Sequence, residues 1–147
     1  MLKEILIQIY ERELNKLKTE INLYTNEANL WLTDKEITNS AGNLTLHLLG
    51  NLNHFFGALL AKNGYLRNRP TEFTDKNVPR ENLIERIDEA IEIVKSAIAN
   101  LTEEELASDY PETFQEKIVK TDFFIVHLAT HFSYHLGQIN YHRRLLD

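Results

Sequence analysis

Apolar residues return at steps of three and four in four long stretches of the chain, the period of amphipathic helices. In the first stretch, Leu6, Tyr10, Leu14, Leu17, Ile21 and Tyr24 form one stripe. The second, roughly residues 42 to 62, repeats Leu48, Leu52, Phe55 and Leu59. The third, from about residue 80 to 100, carries Leu83, Ile87, Ala90, Val94, Ala97 and Leu101. The fourth, from about residue 121 onward, sets Ile125, Phe132, Ile139 and Leu146 at heptad spacing. Ahead of it, Thr102 followed by Glu103, Glu104 and Glu105 reads as a capping box that opens a short helical turn.

No stretch alternates with the two-residue period of a strand, so the expected class is all-α. Four such helices predict a four-helix bundle. No repeat, low-complexity tract or second domain stands out, and residues 1–147 are expected to form a single domain. The longest connection is taken as Asn63 to Pro79, with Gly64, Pro70 and Pro79 as breakers. It exceeds what an antiparallel hairpin needs. It therefore predicts a crossover that makes the second and third helices parallel, an up-down-down-up order with the fourth helix antiparallel to the second.

Composition removes several functions. The net charge of −6 and a pI near 5.5 argue against a nucleic-acid or anionic-membrane partner. The basic groups Arg67–Arg69 and Arg143–Arg144 are short and far apart. There is no cysteine, hence no disulfide, no thiolate metal site and no cysteine nucleophile. The first residues are charged from Lys3 onward and lack the apolar run of a signal peptide. Cytoplasm is the expected compartment, although Asn43 and Asn100 match the glycosylation pattern. Residues 37–61 carry no Asp, Glu, Lys or Arg, which is also true of membrane spans. Asn39, Asn43, His47, Asn51, Asn53 and His54 within it suit lipid poorly, so a buried helix with a polar seam is expected.

The histidines change the picture most. Four of the six lie between residues 127 and 142. On the fourth helix Leu128, His131, His135, Gln138, His142 and Leu145 trace a core-facing line with polar residues in place of leucines. His131 and His135 sit one turn apart, about 6 Å along the axis, and suit one metal ion. His127 pairs with His131 in the same way, but lies about 12 Å of rise from His135, so the three cannot serve one ion. The second helix offers a matching line, His47, Asn51, His54, Ala58 and Ala61. A histidine from it would complete a three-histidine site with open positions, the pattern of catalytic rather than structural metal centres.

The stretches NLTLHLLGNL from residue 43 and HFSYHLGQINY from residue 131 resemble the DinB/YfiT-like superfamily of small bacterial metal-binding proteins. The resemblance covers essentially the whole chain. It implies an up-down-down-up four-helix bundle and a divalent metal held by His47, His131 and His135. His54 and His127 fall outside the motif and become packing or supporting candidates.

Three neutral imidazoles leave the double charge of an ion uncompensated, which favours an anionic fourth ligand. Zinc suits the donors, and nickel, iron or manganese share them. Relatives in the superfamily imply a transferase that activates a low-molecular-weight thiol, such as bacillithiol or mycothiol, for attack on an electrophile. With no cysteine of its own, the chain would take that thiol from outside. The alternatives are a metal-dependent hydrolase and a non-catalytic metal-binding stress protein. Phe132 stands where His-Glu-x-x-His hydrolases keep their general base. Trp31 and Tyr24 read as residues that close the end of the bundle by packing or line the mouth of the pocket, Asn43 and Asn51 as imidazole-orienting groups or, for Asn43, a helix cap. The 63–79 segment, with Tyr65 and Phe73, is expected to cover either the site or the interface of a homodimer.

Overall fold

A computed structural model describes residues 1–147. The chain is all-helical, without strands: α1 (Leu2–Leu23), a 3-10 turn (Glu27–Trp31), α2 (Ala41–Leu52), a π-helical extension (Asn53–Leu60), α3 (Arg69–Thr74), α4 (Arg80–Asn100), α5 (Glu103–Ala107) and α6 (Thr121–Leu146). The stripes read at α1 and α4 belong to the core, together with residues of α2 and α6. Leu6, Tyr10, Leu14, Leu17, Ile21 and Tyr24 are all buried, as are Leu83, Ile87, Ala90, Val94, Ala97 and Leu101.

Polar contacts fix the directions of the helices. Lys3 at the start of α1 donates to Ala99 O and Leu101 O at the end of α4, and Lys18 pairs with Asp88. These helices are antiparallel, and the ammonium satisfies carbonyls that the α4 terminus leaves without partners. α6 runs with α1: Tyr10 Oη donates to Ile125 O at 2.6 Å, Ser133 reaches Glu13, and Arg143 reaches Glu20. His47 of α2 lies beside His131 of α6, while Phe55 further along meets Phe124 further back, so α2 opposes α6. No helix is long and apolar enough to cross a membrane.

α2 is buried along its whole length, which accounts for its lack of charge. Ser40 caps it by accepting the Asn43 N–H at 3.1 Å. The Thr102–Glu105 capping box forms as read from the sequence.

Three expectations need correction. The second helix does not keep one winding. Beyond Leu52 its bonds run i to i+5, which places more residues in each turn and moves later positions around the axis. His54 thereby leaves the line begun by His47 and Asn51, and Ala61 is exposed. The 63–79 segment is not simply a loop, because Arg69–Thr74 form the short helix α3 with Pro70 in its first turn. The far end of the α6 line also departs: Leu145 is exposed, where a core-facing position was expected.

Candidate metal centre

The site forms where α2 and α6 pass each other. His47 projects from the middle of the buried α2, and His131 and His135 come from successive turns of α6. Their ligand nitrogens all lie within 4.8 Å of one another. His47 Nε2 and His131 Nε2 are 3.3 Å apart. Two nitrogens on a tetrahedral zinc ion at about 2.05 Å stand about 3.3 Å apart, so this pair already has the spacing of shared ligands. Nδ1 of His131 is buried and meets no hydrogen-bonding group of the protein. The donor set fits a divalent ion of intermediate softness.

Two of the rings are held through their outer nitrogens. His47 Nδ1 lies 3.0 Å from Glu72 Oε1, and His135 Nδ1 lies 2.7 Å from Gln138 Oε1. An acceptor on Nδ1 places the proton there and leaves Nε2 with its lone pair free for a metal. Glu72 is itself fixed by Arg67, whose Nε and Nη2 donate to its two oxygens, each at 2.8 Å. Burial works to raise the Glu72 pKa, but the hydrogen bonds from Arg67 and His47 outweigh it and hold the carboxyl below its usual value. Burial, then the neighbouring His135 and His47, push the pKa of His131 from 6.5 down to about 4. Burial also lowers that of His135, against the opposing pull of Gln138. Both rings therefore remain neutral at neutral pH, the form that binds metal.

α3 delivers Glu72 and covers the triad. Asn43 Nδ2 donates to Glu72 O and Asp75 O, both at 2.9 Å, tying α3 to α2. Asn43 is thus neither the cap of α2 nor an imidazole partner. Phe73 lies against the His47 ring with centroids 5.1 Å apart, so the 63–79 segment sits over the site.

The other sequence candidates separate from the triad. His54 faces Glu112 at 3.1 Å. His127 packs on Phe114, with centroids 4.4 Å apart. His142 is buried against Tyr24 Oη at 2.6 Å and Leu32 O at 2.9 Å. Tyr24 is accordingly a packing residue, and Trp31 lies on Gly42, where a β-carbon would fall 2.6 Å from its ring. Asn51 lines a cavity beside the triad.

Sequence reasoning missed Glu72 and Arg67. A signal was present in Gly50, an isolated glycine that costs helix stability in mid-helix and whose missing β-carbon leaves room for another group. The approaching group is the Glu72 carboxylate.

The structure is similar to a crystal structure described as the conserved protein of locus from Enterococcus faecalis, with a TM-score of 0.76 over 97% of this chain and 95% of that one. The two sequences are 16% identical, so the likeness concerns the fold alone. No match was found among curated proteins. The family described as Protein of unknown function (DUF1572) matches residues 4–147, and the chain belongs to that family.

Proposed function

We propose that His47, His131 and His135 hold one divalent cation, zinc first, and that the protein is a metal-dependent transferase acting on a low-molecular-weight thiol. The observation that carries this reading is the convergence of three imidazoles, two of them already fixed through Nδ1. We also read α1, α2, α4 and α6 as a four-helix bundle in up-down-down-up order within the DinB/YfiT-like superfamily. The helix directions and the His-x-x-x-His motif on α6 support that placement.

A bound divalent cation would supply the positive charge that deprotonates a coordinated thiol near neutral pH. The chain supplies the rest. Glu72 and Gln138 orient two imidazoles, burial keeps His131 neutral, and Phe73 shields the His47 face from water. The carboxylate that touches the triad, Glu72, has both oxygens engaged by Arg67 and His47. It is not free to serve as the base of a hydrolase, which favours transfer over hydrolysis. A reducing cytoplasm would keep such a thiol available.

The test is elemental analysis of untagged protein, followed by assay of thiol addition to a halo-aromatic and an epoxide, with bacillithiol, mycothiol and glutathione in parallel. One metal ion per chain and a rate abolished by chelation and by His47→Ala are expected. Metal-loaded protein that shows no thiol-dependent rate, yet hydrolyses activated esters, would replace transfer with hydrolysis. Absence of both activities would leave a metal-binding protein.

A further inference from the structure

Beside the triad lies an open cavity of about 240 Å³ whose walls include His47, His131, Asn51, Arg67, Arg69 and three phenylalanines. Its size is below the range of about 300–1,000 Å³ that takes drug-sized ligands, so its occupant is small. No acidic side chain lines it.

The two guanidinium groups differ in what they are free to do. Arg67 is committed to Glu72 through two hydrogen bonds. Arg69 has no carboxylate partner and rests over the Phe73 ring at 5.2 Å, at the edge of the cavity. Phe73 in turn packs at a tilt against His47, so Arg69 is positioned relative to the triad through the Phe73 ring. Asn51, one turn beyond His47 on α2, is 7% exposed and lines the same cavity. Its amide has no hydrogen-bond partner within the protein and is open to the cavity, where a ligand can meet it.

The remaining wall is aromatic. Phe55 meets Phe124 edge-on at 5.0 Å, and Phe114 packs 5.6 Å from Phe124. His127 backs Phe114. A free cation and an amide that line the same cavity as three aromatic rings suit a molecule with an anionic head and a flat apolar body.

We propose that this cavity binds a small monocarboxylate with a planar apolar body, its carboxylate held by Arg69 and Asn51 and its body lying on Phe55, Phe114 and Phe124. Assigning that compound as the co-substrate rests on the transferase reading above, whereas its binding does not.

The test is titration calorimetry with 3-phenylpropionate, the neutral 3-phenyl-1-propanol and propionate, on the protein as purified and after chelation. 3-Phenylpropionate should bind one to one and at least tenfold more tightly than either analogue. Loss of one charge-assisted hydrogen-bonding group is worth about tenfold, so Arg69→Gln and Asn51→Leu should each weaken binding by about that factor. Arg69 is exposed, so its variant should fold normally. Binding that needs Arg69 and survives chelation supports the inference even if metal content and thiol assays overturn the transferase reading. Equal affinity for the alcohol, unchanged affinity in Arg69→Gln, or no binding at millimolar ligand would overturn it. Binding lost on chelation and restored by metal alone would also overturn it, because the carboxylate would then be bound by the ion.

Discussion

Gly50 lies directly beneath the Glu72 carboxylate: a β-carbon at position 50 would overlap Oε2 and stand 2.5 Å from Cδ. A glycine in mid-helix costs about 1 kcal/mol relative to alanine. Here it opens the space through which α3 reaches His47. Gly50→Ala should gain helix propensity yet displace Glu72, removing the partner of His47 Nδ1. Loss of such a supporting hydrogen bond costs about 10–100-fold in metal affinity. Gly50→Ala and Glu72→Gln should both weaken zinc binding within that range, measured by competition with a chromophoric chelator. Unchanged affinity in both would show that Glu72 does not orient the ring.

The choice of ligands on α6 is tested by paired substitutions. His135 lies within the triad, while His127 packs on Phe114. His135→Ala should abolish stoichiometric metal binding and His127→Ala should leave one ion per chain, both read by elemental analysis after gel filtration. Equal loss in the two variants would contradict the assignment.

Acid should destabilise the metal-free protein earlier than carboxylate titration requires. Burial and the neighbouring imidazoles hold the His131 pKa at about 4 in the folded chain, against 6.5 for an ordinary histidine. Between those values the unfolded chain binds a proton that the folded chain does not, so stability falls as pH drops through 6.5 and levels below about 4. The lowered pKa of His135 acts in the same direction. Thermal unfolding of the chelated protein should show Tm falling between pH 7 and 5, with a shallower fall in His131→Gln. Parallel curves for the two proteins would sink this account.

The parts of the molecule that were legible in the sequence are those governed by local periodicity. The stripes of α1 and α4, the bounds of α4 and the Thr102 capping box depend on spacing within one helix, and the sequence displays spacing directly. The His131/His135 pair was legible for the same reason. Glu72 was not, because its role depends on a crossover segment folding back onto α2 and on a glycine leaving room for it. The π-helical turns after Leu52 were hidden too. Nothing in Asn53–Leu60 violates an α-helical pattern, and the altered winding appears only where His54 departs from the line of His47. His142 matched the polar line on α6 perfectly well, yet its partners come from residues 24 and 32, far away in the chain.

Those partners define the last prediction. His142 is 2% exposed, and its Nε2 lies 2.9 Å from Leu32 O. A carbonyl can only accept, so Nε2 carries the proton, and in the neutral imidazole Nδ1 is then an acceptor. Tyr24 Oη, 2.6 Å away, must then donate to Nδ1. Burial pushes the Tyr24 pKa upward, which keeps that donor protonated. Tyr24→Phe would leave Nδ1 buried without a donor, at a cost of about 1–3 kcal/mol. For a domain of this size that corresponds to a Tm lower by roughly 2–12 °C. Because Tyr24 and His142 stand apart from the triad, the same variant should bind zinc with unchanged stoichiometry and affinity. A Tyr24→Phe protein that unfolds normally but loses metal would instead link this pair to the site, and His142 would have to be counted among the groups that hold the ion.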